Sequence, residues 1–142
     1  MKKIYKFSRR FIGIILATVM LVAGFAGPDV KAAATQELIV SCNIGCEFDS
    51  SFSLVYYYKI ESTGDFSDIY LKVAFQKYPE GSSQYTREVT EITDYTYDSI
   101  TKQYRFVFSG ISAPEMSNIA YATLCAKKGN QAYASSQTEY SV

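Results

Sequence analysis

From Thr35 onward, apolar side chains recur at every second residue, and no segment holds the three-to-four spacing of a helix. A chain patterned this way can only bury itself as strands that present one face to a core. The clearest case is 68–77, where Ile69, Leu71, Val73 and Phe75 fall on one side and Tyr70, Lys72, Ala74 and Gln76 on the other. Residues 104–109 repeat it, with Tyr104, Phe106 and Phe108 alternating against Arg105, Val107 and Ser109. Read the same way, 37–42, 52–60, 85–97, 119–127 and 131–140 complete a set of seven strands. Ser62-Thr63-Gly64-Asp65, Pro79-Glu80-Gly81 and Lys128-Gly129-Asn130 supply residues that turn easily between them. Seven short strands at this spacing predict an all-β, two-layer antiparallel sandwich. The run 110–118 does not alternate and holds Pro114, so it is expected to be a connection, with Ile111 and Met116 tucked beneath it.

The N-terminus is patterned differently. Lys2, Lys3, Lys6, Arg9 and Arg10 precede an uncharged apolar run over 11–27, followed by Ala32-Ala33-Ala34. A basic start, an apolar run and small residues are the parts of a secretory signal peptide. Residues 1–34 are therefore expected to form a helical export signal, cleaved after Ala32 or Ala34, and residues 35–142 one exported domain. The expected location is extracellular, free or at the cell surface, with no membrane contact after cleavage.

Cleavage changes the charge. Six basic residues and only Asp29 among the acids leave with the signal, so eight basic and thirteen acidic side chains remain, a net charge of −5. A mildly acidic domain without a basic stripe is not expected to bind nucleic acid or anionic membranes. The chain contains no His, which removes histidine bases, Ser-His-Asp and Cys-His arrangements, and His-ligated zinc. Acidic residues near predicted turns, such as Asp65, Asp94 and Asp98, have no EF-hand spacing, and no metal or other cofactor is expected. The expectation is a protein that is not an enzyme.

Three cysteines cannot all pair within one chain. Cys42 and Cys46 flank Gly45, and a local disulfide closing a turn there is the favoured pairing, with a bridge from either one to Cys125 left open. Along 119–127, Ala120, Ala122, Leu124 and Ala126 are expected to face the core. That leaves Tyr121, Thr123 and Cys125 outside, with Cys125 as a free surface thiol. If strands 68–77 and 119–127 are neighbours, Tyr70, Lys72, Gln76, Tyr121 and Thr123 share one outer sheet face. Aromatic rings beside polar side chains make a candidate contact surface for a glycan or a protein.

The stretches YRFVFSGI (104–111), PEMSNI (114–119), ATLCA (122–126), KGN (128–130) and EYSV (139–142) resemble the immunoglobulin-like, fibronectin III-like domains of secreted and surface proteins of Gram-positive gut and anaerobic bacteria. The resemblance implies a seven-stranded immunoglobulin-like sandwich that works by contact and carries no catalytic residues. Together with the outward tyrosines and the prospect of an exposed edge strand, three roles are expected: an extracellular binding or structural module, a small carbohydrate-binding module using surface tyrosines, or a protein-binding adhesin or assembly subunit.

Overall fold

The computed structural model describes residues 34–142; residues 1–33 of the expected export signal, with its helix and the cleavage site after Ala32, lie outside the described residues. Alternation is realised as strands β1 (Gln36–Glu37), β2 (Val40–Phe48), β3 (Phe52–Ile60), β4 (Ser67–Lys77), β5 (Thr86–Ile92), β6 (Thr96–Asp98), β7 (Gln103–Ile111), β8 (Ala120–Lys128), β9 (Gln131–Ala134) and β10 (Thr138–Tyr140). One sheet runs β1-β9-β8-β4-β5, with β10 also paired to β8; the other runs β2-β3-β7-β6. Every pairing is antiparallel except the short parallel contact of β1 with β9.

The two sheets meet through the side chains that alternation selects. Leu54, Tyr56, Tyr58 and Phe106 from the second sheet meet Leu71, Val73, Phe75, Ala122 and Leu124 from the first, all of them buried. Each fully buried Leu, Val or Phe contributes about 1.5–3 kcal/mol against leaving it in water, so this layer dominates the stability. Ile111 is buried and Met116 packs against the core from the far end of the β7–β8 connection. That connection includes one 3-10 turn, Ala113–Glu115.

Ten strands replace the expected seven because three long runs break, two of them by changing sheet. The chain crosses between sheets at Leu38 and Ile39: Leu38 N–H still donates to Ala134 of the first sheet (2.9 Å), while the Ile39 carbonyl already accepts from Glu61 beside the second (2.8 Å). Segment 85–97 likewise divides into β5 in one sheet and β6 in the other. The last run divides at Ser135 into β9 and β10, both on β8.

The expected turn at Gly45 is absent. β2 pairs with β3 in unbroken register from Val40↔Ile60 to Phe48↔Phe52, so Gly45 is mid-strand and the chain reverses after Phe48. Four residues of extended strand separate the Cys42 and Cys46 Cα atoms by about 13 Å. A disulfide needs them within about 7 Å, so the local bridge cannot form, and all three cysteines are free.

Candidate functional site

The outer face of the first sheet gathers most of the residues singled out from the sequence. β4 and β8 are neighbours in the register Tyr70↔Cys125, Lys72↔Thr123 and Ala74↔Tyr121. On the other side of β4, Lys72↔Glu91, Ala74↔Val89 and Gln76↔Arg87 bring β5 onto the same face. β9 adds Ala134 beside Cys125 and Ala132 beside Lys127.

Size differences among these side chains create relief. Ala74, Ala132, Ala134 and Thr123 leave a low floor, and Tyr70 and Tyr121 rise beside a hollow of about 490 Å³. Tyr70 and Tyr121 stand four β8 positions apart, about 13 Å along the strand. Lys72 enters the hollow with its ammonium 3.8 Å from Glu91, and Lys127 lies 3.4 Å from Asp68. Arg87 places its guanidinium 4.6 Å from the Tyr121 ring centroid without lining the hollow, so it backs the ring and leaves the depression open. Among the described residues no carboxylate comes within ion-pair distance of Arg87.

Tyr70 packs against the Cys125 thiol. Burial first, and then the thiol alongside, push the Tyr70 hydroxyl up to about 12, so it stays a neutral donor at ordinary pH. Cys125 has the outward parity its strand position requires, but it is buried and not the expected surface thiol. Tyr70 of β4 and Ala134 of β9 flank it, and burial raises its pKa more than the Tyr70 hydrogen bond lowers it. A neutral, covered thiol is a poor nucleophile.

Gln76 shares the outer parity but is not brought to the hollow. It is buried at the end of β4, where its carbonyl accepts from Asn118 (2.9 Å) and its N–H donates to Ile119 (3.0 Å) as the β7–β8 connection closes over it. Arg87, Val89 and the two β9 alanines were not singled out from the sequence. The alternation Arg87, Val89, Glu91 was readable there, but which strand lay beside which was not.

Two other hollows are smaller. One of about 360 Å³ follows the seam between β5 and β7 over Phe75 and Phe108, and one of about 230 Å³ lies at the β2–β3 turn beside Phe48 and Met116. Among the described residues no three His, Cys, Asp or Glu side chains converge as metal ligands. The outer-face hollow therefore offers ring edges and faces, ammonium and hydroxyl donors and an apolar floor, a chemistry suited to holding a ligand. No protein-family model matches the sequence, and searches of curated proteins and of solved structures find no match.

Proposed function

We propose that this protein is an exported, non-catalytic binding module of immunoglobulin-like sandwich type, and that it holds a carbohydrate in the hollow between Tyr70 and Tyr121. The N-terminal sequence pattern supports export. Strand order supports the immunoglobulin-like assignment: β2-β3-β7-β6 corresponds to an A-B-E-D sheet, and β9/β10-β8-β4-β5 to G-F-C-C′.

The observation that carries the ligand assignment is a pair of tyrosines that line one depression, two strand rows either side of Lys72 and Thr123, with Ala74, Ala132 and Ala134 as small neighbours in its lining. Sugar rings present apolar C–H faces that lie against aromatic rings, and hydroxyls that need donors and acceptors around the rim. A span of about 13 Å favours a short oligosaccharide stretch over a single ring. Arg87 holds Tyr121 in place from behind, which lowers the ordering cost of binding.

Retention of the purified protein on a panel of insoluble polysaccharides and cell-wall material tests this reading, beside a Tyr70→Ala, Tyr121→Ala double variant. Retention on a glycan that the double variant loses supports it. Retention that survives the double substitution, or none on any glycan, overturns it.

A further inference from the structure

Among the described residues, the second sheet ends on β2, nine residues paired only to β3. Edge strands of this length normally carry a proline, a bulge or outward charges that stop another strand from adding on. β2 has no proline and no break in register, and its single charged residue, Glu47, is tied to Arg105 of β7 at 2.6 Å. Along this open edge lie two free thiols, Cys42 half-buried and Cys46 exposed.

The sequence of the strand is close to palindromic by residue class about Ile44, with only the Asn43 and Gly45 pair unlike. Val40 mirrors Phe48, Ser41 mirrors Glu47, Cys42 mirrors Cys46 and Asn43 mirrors Gly45. A strand that pairs with its own copy across a two-fold axis must be complementary to its own reverse, because each residue i meets the residue mirrored through the axis. This pattern meets that condition, with apolar against apolar at both ends, thiol against thiol, Ser41 against Glu47, and Asn43 against Gly45, which has no side chain to clash. No like charges meet, since Glu47 would face Ser41.

We propose that β2 pairs antiparallel with β2 of a second copy across a two-fold axis at Ile44, and that Cys42 of each copy faces Cys46 of the other and forms a disulfide with it. Centring on Ile44 uses all nine residues of the strand. Axes on Cys42 or Cys46 also oppose thiols but pair only about five residues. Cys42 and Cys46 have the same parity, so in the joined sheet both bridges lie on one face. Each bridge forms as two thiols lose two protons and two electrons to a small-molecule disulfide such as oxidised glutathione, which leaves as two thiols. This assembly is independent of the glycan reading, since it uses the opposite sheet.

The test treats the purified full chain with oxidised glutathione and follows it by non-reducing gel, light scattering and peptide mapping. The expected product is a dimer linked Cys42 to Cys46, reverting to single chains on the gel under reductant. Neither Cys42→Ser nor Cys46→Ser alone should link through β2. A mixture of the two variants should restore one link, between Cys46 of the first and Cys42 of the second. A dimer that persists in Cys42→Ser through Cys46 to Cys46, a link through Cys125, or wild-type protein that stays monomeric with free thiols overturns the proposal.

Discussion

Ser135 stands in for a strand residue opposite Leu124. Its N–H donates to the Leu124 carbonyl at 2.9 Å, and its hydroxyl oxygen accepts the Leu124 N–H at 2.9 Å while donating to the Ser136 carbonyl at 2.8 Å. The side chain thus supplies the acceptor that the ladder lacks where β9 ends and β10 begins. Ser135→Ala leaves the Leu124 N–H buried without a partner, which costs about 1–3 kcal/mol. Thermal unfolding should show Tm falling by several degrees. An unchanged Tm would mean that water or a backbone shift replaces the hydroxyl.

Tyr56 and Tyr58 are stacked neighbours in the core with opposite hydrogen-bond fates. Tyr58 hydroxyl donates to Thr138 Oγ1 at 3.2 Å, and the Tyr56 hydroxyl is buried without a partner among the described residues. Burial raises the pKa of both, so each stays neutral across the ordinary pH range. Tyr58→Phe should destabilise by about 0.5–1.5 kcal/mol, whereas Tyr56→Phe should be neutral or stabilising. Denaturant midpoints measured side by side check the difference. Equal losses in both would show that Tyr56 finds a partner in solution.

Alternation made the core of β3, β4 and β8 legible, because a period of two needs only local sequence and Leu71, Val73, Tyr56, Ala122 and Leu124 keep it without interruption. It also placed Tyr70, Lys72, Tyr121 and Thr123 on one face once β4 and β8 proved adjacent. The sheet crossing at Leu38 and Ile39 was invisible, since the residues on either side of it keep strand character and only the hydrogen-bond partners change. Gly45 misled for the opposite reason: glycine is compatible with a turn, and its place in β2 is set by nine consecutive pairs to β3. The floor of the hollow was equally hidden, because Ala132 and Ala134 are featureless in sequence and matter only as absences of bulk beside Lys127 and Cys125, on the Tyr70 side of the hollow.

Glu115 accepts from the Ser112 N–H (3.0 Å) and hydroxyl (2.7 Å) and pairs with Lys77 (3.0 Å), fastening the β7–β8 connection to β4. The Ser112 bonds, and then Lys77, hold its carboxyl below the ordinary value of 4.5. A depressed folded-state pKa stabilises fully above the unfolded value, and this contribution disappears as pH falls through the folded one. Glu115→Gln should therefore lower Tm by a few degrees at neutral pH, with the gap from wild type closing below pH 4.5. A gap independent of pH would assign the loss to packing.

The three thiols of the reduced monomer should differ in reactivity by position alone. Cys46 is exposed, Cys42 is half-buried and Cys125 is buried. Burial raises the pKa of both Cys42 and Cys125, which lowers the thiolate fraction that reacts. Pulsed alkylation with mass mapping should label Cys46 first and the other two on the order of tenfold more slowly, with unfolding abolishing the difference. Early labelling of Cys125 would mean that Tyr70 and β9 open readily over it, which would loosen one wall of the outer-face hollow and weaken the case for a pre-formed ligand site there.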